Sequence, residues 1–323
     1  MAALHYETPL VESDLASQRA GCKVLLKLEN VQNTSVYKIR GIGHRCRKVI
    51  QEGCTHLVSS SGGNAGIATA FAGRKLGVPV TVVVPESTPE VMRERIRKEK
   101  ADVIVHGKVW DDANSKSLEL ASQPGYAHIH PFDHPDIWEG HASLIYEIKS
   151  QLNGAKPGAV IVAVGGGGLL NGIIHGLQAV NWNDVPVIAM ETEGADSFAA
   201  ACKAGKLVTL PDITSIAKCL GAKTVTQKSF DLTKEHPIVS CVVSDKAAVN
   251  ACDKFLDDHH CLVEPACGAA LAAIYEPHFL VDLQEKGRLS SSQNLDNVVC
   301  IVCGGNGISI ELLLKWKRDL GLS

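Results

Sequence analysis

The stretch SVYKIRG contains a lysine, Lys38, directly after a large aromatic residue, Tyr37, and at the start of a helical pattern, KIRGIGHRCRKVI. A lysine is usually a solvated surface charge, and the first turn of a helix disfavours a cation. Burial and a helix start both lower the pKa of an amine, which favours the neutral, nucleophilic form. Lys38 is therefore either an ordinary basic residue on a polar face or a candidate for Schiff-base chemistry.

Four consecutive glycines, Gly165 to Gly168, follow an apolar run and precede the helical pattern LLNGIIHGL. A backbone without Cβ atoms can surround a ligand with N–H groups, and the following helix adds its positive end. The run therefore favours a phosphate-binding turn; the alternative is a tight turn packed against another strand. It is neither a Walker loop, because GKS and GKT are absent, nor a convincing dinucleotide loop.

A second turn, SSSGGNAG at residues 59–66, offers hydroxyl and amide donors before a helix that begins near Asn64. It can hold a carboxylate, or it can be only a helix cap with a glycine turn. Cys303 ends a further apolar run before Gly304 and Gly305, and it either faces the crevice at the strand ends or packs in the core. In combination, the lysine, the aromatic residue and the two turns indicate pyridoxal 5′-phosphate (PLP) and an amino-acid substrate.

The 323-residue chain is 45% hydrophobic and 21% charged, as in globular proteins with one large domain or two ordinary ones. Its net charge of −3 gives no electrostatic reason to expect nucleic acid or a membrane surface as a partner. No apolar run approaches the roughly 20 residues of a membrane span, and the N-terminus lacks a signal core. The 11 cysteines are scattered, and Cys300 and Cys303 lie in an apolar run without a second ligand pair. We therefore expect reduced thiols and a cytoplasmic location.

Apolar runs alternate with helical patterns along most of the chain. Six short runs, almost continuously apolar, predict buried parallel strands at 55–60, 80–85, 101–107, 158–166, 185–191 and 297–305. Helical patterns lie between them at 64–77, 88–100, 110–122, 137–152 and 169–180. This alternation predicts an α/β, doubly wound architecture. We expect a small domain over residues 37–139 and a large domain formed by residues 1–36 and 140–323.

The motifs resemble those of the fold-type II PLP enzymes, which are tryptophan synthase β-like, and in particular the serine dehydratase and serine dehydratase-like group. The similarity extends almost end to end, through TPL (8–10), LKLENVQ (26–32), KIRGIGH (38–44), SSGGNAG (60–66), PFDHPDIWEGHAS (131–143), GGGGLL (165–170), VPVIAMET (185–192), LVEPACGAALAAIY (262–275) and IVCGGNGIS (301–309). The resemblance implies two doubly wound open-sheet domains with the cofactor in the cleft. It implies α,β-elimination, which converts L-serine to pyruvate and L-threonine to 2-oxobutyrate, each with ammonia. It also implies a homodimer that acts in amino-acid catabolism and gluconeogenesis.

The resemblance also implies roles for individual residues. Lys38 binds the cofactor covalently and later moves the substrate α-proton, and Tyr37 stands where the family has a phenylalanine that stacks on the cofactor ring. Other cofactor-binding residues are implied to be Asn64, Gly165, Gly166, Gly167, Gly168, Leu169, Cys303 and Gly304. Substrate-binding residues are implied to be Ser61, Gly62, Asn64 and Ala65. As the partner of the pyridine nitrogen, a neutral Cys303 thiol makes the ring a weaker electron sink, which favours elimination over transamination.

Serine racemases are similar to this chain but carry a serine acid/base on the opposite face of the substrate. The matching residue is Gly62, which cannot carry a proton, so a racemase or another β-elimination activity ranks second. The family's structural ion loop is matched by Gly165, Glu191, Ala195, Ser197, Leu220 and Ala222. Because Ser197 supplies one charge less than the aspartate of racemases, a monovalent ion such as potassium is favoured. The alternative is that Glu191 simply caps a helix or pairs with a base.

The chain departs from the family immediately before the lysine, where Pro-Ser-Gly-Ser-Phe-Lys is replaced by NTSVYK. Ser35 replaces a glycine, and the loss of a glycine can forbid a positive φ. Val36 replaces a hydroxyl beside the aromatic residue, and the Tyr37 hydroxyl must find a partner or solvent. Because these changes touch the cofactor's surroundings, an alternative of another class is a PLP-binding protein with little catalytic activity.

Overall fold

The computed structural model describes residues 2–290 and 295–322 of the chain. Its strands are β1 (Leu10–Glu12), β2 (Lys23–Leu28), β3 (His56–Ser59), β4 (Val80–Val84), β5 (Asp102–Val105), β6 (Tyr126–His128), β7 (Ala159–Ala163), β8 (Val187–Thr192), β9 (Ile238–Val243) and β10 (Asn297–Val302). Its α-helices are α1 (Asp14–Ala20), α2 (Lys38–Gln51), α3 (Asn64–Leu76), α4 (Glu90–Lys98), α5 (Trp110–Ala121), α6 (Pro135–Gln151), α7 (Gly168–Ala179), α8 (Ser197–Ala204), α9 (Gln227–Leu232), α10 (Asp245–His259), α11 (Pro265–Tyr275), α12 (Phe279–Glu285) and α13 (Ile310–Asp319). Each predicted strand and helix overlaps one of these elements, whereas β1, β2, β6 and β9 were not predicted individually.

Contacts between Cα atoms divide the chain into two units. Unit 1 comprises the residues up to Tyr6 and Gln32–His141, and unit 2 comprises Glu7–Val31 and the residues from Ala142 onwards. The domains expected from the sequence are a small one over residues 37–139 and a large one over residues 1–36 and 140–323. The residues up to Tyr6, residues 32–36 and residues 140–141 therefore lie on the other side of this division. The assignment of these ranges as a small domain and a large cofactor-binding domain stays a prediction.

In the described residues of unit 1, four parallel strands form a sheet in the order β5-β4-β3-β6. Helix α2 buries Ile39, Ile42, Cys46 and Val49, which recur every three or four residues along one face. These side chains belong to the same apolar core as Leu57 of β3. Burial of an aliphatic side chain stabilises a fold by about 1.5–3 kcal/mol. The packing of α2 therefore fixes the position of its first residue, Lys38.

In unit 2, the described residues form a six-stranded sheet in the order β1-β2-β10-β7-β8-β9. Strand β1 is antiparallel to β2, and the other neighbours are parallel. The N-terminal segment thus contributes two strands, β1 and β2, to this sheet. Helix α11 is buried along its whole length and packs on β7 and β8. The two sheets confirm the predicted α/β architecture.

Between residues 2 and 290 and between residues 295 and 322, no helix is both long enough and apolar enough to cross a bilayer.

Candidate active site

Lys38 is the first residue of α2, and Tyr37 is the residue that precedes the helix, so this helix begins where the sequence predicted. The Lys38 side chain is half-buried, and its Nζ donates a hydrogen bond to the carbonyl oxygen of Pro131 at 2.8 Å. The same nitrogen lies 5.3 Å from the ring centroid of Tyr37 and 6.0 Å from that of Phe132. The amine is thus held at a helix start beside two aromatic rings. The surroundings of this amine therefore differ from those of an ordinary solvated surface lysine.

The backbone that presents the Pro131 carbonyl is fixed by His130. The Nδ1 atom of His130 accepts hydrogen bonds from the backbone N–H groups of Asp133 at 2.7 Å and Phe132 at 3.3 Å. Burial, followed by the nearby charges of His128 and Lys38, lowers the pKa of His130 to about 4. The ring is therefore neutral at neutral pH and keeps Nδ1 available as an acceptor. Sequence reasoning missed His130 and Pro131, although both stand at the conspicuous motif IHPFDHPDIWEG.

Tyr37 packs against a second histidine of unit 1. The ring centroids of Tyr37 and His141 are 5.0 Å apart, with an interplanar angle of 57°. His141 is completely buried, and neither of its ring nitrogens has a hydrogen-bond partner among the described residues. Burial, together with the charges of Lys38 and Arg40, holds the pKa of His141 well below its usual range. A neutral imidazole therefore supports the Tyr37 ring.

The predicted carboxylate turn joins β3 to α3. Ser61 and Gly62 are half-buried, and α3 begins at Asn64, which is buried together with Ala65. The Ser61 hydroxyl accepts a hydrogen bond from the Gly63 N–H at 3.3 Å. The structure therefore brings the four predicted substrate-binding residues onto one turn at a helix N-terminus, an arrangement that suits a carboxylate.

The predicted phosphate turn joins β7 to α7. Gly165 and Gly166 are half-buried, whereas Gly167, Gly168 and Leu169 are buried. Gly167 precedes the first residue of α7 with a φ of 93°, and a Cβ added there would lie 1.9 Å from Ser229 Oγ. Only glycine meets both conditions. A glycine backbone without Cβ atoms and the 12-residue helix behind it fit a phosphate group.

Cys303 follows the last residue of β10 and is buried. A hydrogen bond with Cys267, together with burial, holds the pKa of the Cys303 thiol well above its usual range. The thiol is therefore neutral, as the sequence analysis assumed for a partner of a pyridine nitrogen. Gly304 is buried beside it with a φ of 83°.

The residues of the predicted ion loop lie in unit 2. Both carboxylate oxygens of Glu191 accept backbone hydrogen bonds, from Phe198 at 2.9 Å and Ala199 at 2.8 Å, so Glu191 does cap α8. Burial raises the pKa of Glu191 to about 8. The hydroxyl of Ser197, the first residue of α8, is buried without a hydrogen-bond partner in the described chain.

Backbone hydrogen bonds hold the other residues of the ion loop. Ala195 donates its N–H to Thr192 at 2.9 Å, and Ala222 donates its N–H to the Leu220 carbonyl at 2.7 Å. A Cβ added at Gly165 would lie 3.2 Å from that carbonyl oxygen. No cluster of three or more His, Cys, Asp or Glu side chains suited to a metal occurs in the described part of the chain. An ion here would therefore rely on carbonyl, hydroxyl and single-carboxylate oxygens, which suit hard cations.

An α/β chain with two largely parallel sheets, a lysine at a helix start and a glycine turn before another helix has the fold of the type II PLP enzymes. The chain matches the family model "Pyridoxal-phosphate dependent enzyme" over residues 2–304. The chain therefore belongs to the pyridoxal-phosphate dependent enzyme family.

Individual relatives are similar over their full length. The chain is 57% identical over 319 residues to "Serine dehydratase-like" from Mus musculus, a match that covers 99% of this chain and 96% of that protein. It is 52% identical over 321 residues to "L-serine dehydratase/L-threonine deaminase" from Homo sapiens, with 99% and 97% covered. A solved fungal L-serine ammonia-lyase from Rhizomucor miehei is 38% identical, with a TM-score of 0.91 over 99% of this chain and 100% of that one. The predicted relationship to the serine dehydratase group is confirmed.

Proposed function

We propose that the chain is a PLP-dependent lyase that converts L-serine to pyruvate and ammonia, and L-threonine to 2-oxobutyrate and ammonia. The names of the mammalian and fungal relatives support this substrate class. The observation that carries the proposal is the hydrogen bond of 2.8 Å from Lys38 Nζ to the Pro131 carbonyl oxygen. It keeps a half-buried amine at one point of the site in a family that works with an amine-reactive cofactor.

Lys38 has two tasks in this proposal. When bound, the cofactor supplies the electron withdrawal that makes the α-proton of an amino acid acidic. Lys38 Nζ would hold the cofactor through a covalent bond and, once the substrate's amino group has displaced it, would remove the α-proton of the substrate. The Pro131 carbonyl accepts a hydrogen bond from the amine and stabilises the ammonium that forms when Lys38 takes this proton. The α-proton and the β-hydroxyl would together leave as one molecule of water, and uptake of one water by the resulting enamine would give the keto acid and ammonia.

The other predicted residues bind and orient. We assign the substrate carboxylate to Ser61, Gly62, Asn64 and Ala65, because their turn offers a hydroxyl and a helix N-terminus. We assign the cofactor phosphate to Gly165, Gly166, Gly167, Gly168 and Leu169, and further cofactor contacts to Tyr37, Asn64, Cys303 and Gly304. A neutral Cys303 thiol would put no negative charge beside the pyridine nitrogen of the cofactor, which would favour elimination over transamination.

Two alternatives compete with a dehydratase. Racemisation requires a second proton donor, and Gly62 has no side chain to supply it, so a racemase or another β-elimination enzyme ranks second. A PLP-binding protein with little activity is motivated by the changes at Ser35, Val36 and Tyr37. The backbone at Ser35 adopts a positive φ of 57°, so the serine that stands in place of the family's glycine has not forbidden this conformation before Lys38. This observation supports an active enzyme.

A single preparation of the purified protein tests the proposal against both alternatives. Borohydride reduction followed by peptide mass mapping is expected to find the cofactor on Lys38. Keto acid is expected to form from L-serine and L-threonine. A labelled Lys38 without keto acid would support the noncatalytic alternative, and D-serine formed from L-serine would support the racemase. A label on another lysine would overturn the assignment of Lys38.

We further propose that a monovalent cation, potassium, binds among Gly165, Glu191, Ala195, Ser197, Leu220 and Ala222. The support is the all-oxygen character of this set and the buried Ser197 hydroxyl that has no hydrogen-bond partner in the described chain. Activity and thermal stability are expected to be higher in potassium chloride than in choline chloride at equal ionic strength. Ser197→Asp is expected to shift the preference towards magnesium, because it adds a negative charge. Equal activity and equal thermal stability in all salts would contradict the proposed ion.

We also propose a cytoplasmic homodimer that acts in amino-acid catabolism and gluconeogenesis. The 11 cysteines all lie in the described part of the chain and none of them forms a disulfide, which is in keeping with a reducing compartment. Light scattering at several protein concentrations tests the dimer, and imaging of the tagged full chain tests the location.

A further inference from the structure

Three polar side chains of unit 2 form a closed hydrogen-bonded cycle, the Asn171–Thr226–Ser229 network. Asn171 Nδ2 donates to Thr226 Oγ1 at 3.1 Å, and the Ser229 hydroxyl donates to Asn171 Oδ1 at 2.7 Å. The hydroxyl oxygens of Thr226 and Ser229 are 2.7 Å apart. Because the Ser229 proton is directed to Asn171, Thr226 must be the donor in this pair. The exposures of 2%, 4% and 0% for Asn171, Thr226 and Ser229 keep water away from all three bonds.

Two members of the network donate backbone N–H groups to the glycine turn, and the third lies beside Gly167. The Thr226 N–H donates to the Gly166 carbonyl oxygen at 3.1 Å, and the Asn171 N–H donates to the Gly167 carbonyl oxygen at 2.8 Å. Ser229 Oγ lies 1.9 Å from the position that a Cβ on Gly167 would take. The hydroxyl of Ser229 therefore fills the space that the missing side chain leaves.

These contacts determine where two backbone N–H groups point. In a planar trans peptide, the C=O and the following N–H point in opposite directions. Because the Gly166 carbonyl is bonded to Thr226, the Gly167 N–H points away from the network. Because the Gly167 carbonyl is bonded within the first turn of α7, the Gly168 N–H points out of the helix N-terminus. Both donors thus face the side of the turn opposite the network.

We propose that the Asn171–Thr226–Ser229 network positions the glycine turn for a phosphate monoester and thereby gives the chain its preference for PLP over pyridoxal, the same aldehyde without phosphate. The three residues are positioning residues, since they act through the turn. An anion site binds more tightly when its donors are fixed before the ligand arrives, because less conformational freedom is lost on binding. This inference rests on the proposed phosphate role of Gly165 to Gly168 and is independent of which amino acid is the substrate.

The test measures dissociation constants of PLP and pyridoxal with the full-length chain by absorbance titration after removal of the cofactor. Ser229→Ala and Thr226→Val remove one hydroxyl each, whereas Thr226→Ser keeps the hydroxyl. Thr209→Val is the matched control, because it breaks an exposed hydroxyl pair, Thr209 and Thr224, of 2.8 Å in the same unit. Ser229→Ala and Thr226→Val are expected to weaken PLP binding by about tenfold or more, the effect of one lost buried hydrogen bond. Pyridoxal binding is expected to change by less than about threefold, because it lacks the phosphate that the turn holds.

The outcomes separate this inference from the proposed function. An equal loss of affinity for PLP and pyridoxal would mean that the network only stabilises the fold. Unchanged affinity for both would mean that the network does not fix the turn. Thr226→Ser keeps the hydroxyl and is expected to keep its affinity for PLP; a loss as large as that of Thr226→Val would also overturn the inference. A wild-type chain that binds PLP no more tightly than pyridoxal would instead overturn the phosphate role of the glycine turn. Selective loss of PLP affinity in a chain that forms no keto acid would uphold the network and reject the dehydratase.

Discussion

The Nζ atom of Lys38 donates a hydrogen bond of 2.8 Å to the carbonyl oxygen of Pro131, a residue 93 positions further along the chain. This carbonyl stabilises a positive charge on the amine, whereas the helix start at Lys38 opposes it. The two effects therefore act in opposite directions on the protonated form of this nitrogen. A group that takes a proton and gives it back needs both forms to be accessible.

Lys38 variants test whether the neutral form is required. Lys38→Arg keeps a positive charge and can still donate to Pro131, but its guanidinium does not lose its proton in a protein. We expect keto-acid formation from L-serine to fall by about three orders of magnitude or more in both Lys38→Arg and Lys38→Ala. Added ethylamine is expected to restore part of the activity of Lys38→Ala and none of that of Lys38→Arg. Substantial activity in Lys38→Arg, with unchanged thermal stability, would contradict the role of the neutral amine.

His130 predicts a pH dependence of stability. Its pKa is about 4 in the folded chain and about 6.5 in an unfolded one. Between these values the unfolded chain binds a proton that the folded chain does not, so stability falls as the pH drops from about 6.5 to about 4. Allowing for the partial exposure of the ring, the contribution of this one group is at most about 2 kcal/mol.

His130→Asn isolates this contribution. The Asn Oδ1 atom stands where Nδ1 stood and still accepts from Phe132 and Asp133, but it does not titrate. Urea unfolding from pH 4.5 to 8 is expected to show a shallower slope for His130→Asn than for the wild type below pH 6.5. Parallel curves for the two proteins would show that His130 does not titrate differently in the two states. His130→Phe, which loses the acceptor, is expected to be less stable than both at pH 8.

The elements that the sequence reveals are those with a single, local signal. Strands such as β7, AVIVA, are fully buried and purely apolar, so the run itself predicts them. Strand β2, KVLLKL, was not predicted because Lys27 interrupts its apolar run. That lysine is nevertheless fully buried, since its Nζ donates to the Thr8 carbonyl and to Glu147 at 2.7 Å each. Strand β6 has only three residues, all half-buried, and carries no run at all.

The residues of the candidate site also divide into those with a local sequence signal and those without one. Lys38 and the two glycine turns were predicted because each lies at a junction between a strand and a helix, or at a helix start, that a short stretch of sequence defines. The Pro131 carbonyl and the partners of Asn171, which lie 55 and 58 residues away, were missed because only the folded chain joins them. Backbone carbonyls in particular carry no mark in a sequence. Positioning contacts of this kind can be found only from coordinates.

Gly62 and Thr88 predict a coupled effect on the carboxylate turn. A Cβ added at Gly62 would lie 2.6 Å from both Thr88 Cγ2 and Thr88 Oγ1. Gly62→Ser alone is therefore expected to cost about 1–3 kcal/mol by overpacking. Gly62→Ser combined with Thr88→Ala is expected to recover most of this loss, a coupling that a double-mutant cycle in urea measures. If serine at this position can act as an acid/base, D-serine formed from L-serine is expected to be higher in the double variant than in Gly62→Ser.

The control for this pair is Gly62→Ala, which has the same Cβ but no hydroxyl. It is expected to reproduce the loss of stability and its recovery by Thr88→Ala without forming D-serine. If the changes in the free energy of unfolding caused by the two substitutions are additive, the side chain at position 62 does not contact Thr88.

Ser35 carries a strain that one substitution can remove. It is an exposed, non-glycine residue with a φ of 57°, and its N–H donates to the Gln32 carbonyl oxygen at 2.7 Å in the turn before Lys38. A residue with a Cβ in this left-handed region loses roughly 1 kcal/mol, whereas glycine adopts it freely. Ser35→Gly is therefore expected to raise the free energy of unfolding by about 0.5–1 kcal/mol, measured by urea denaturation. Ser35→Ala removes the same hydroxyl but keeps the Cβ, so it is expected to give no gain. An equal gain in Ser35→Ala would attribute the effect to the hydroxyl, and the backbone would then not be strained.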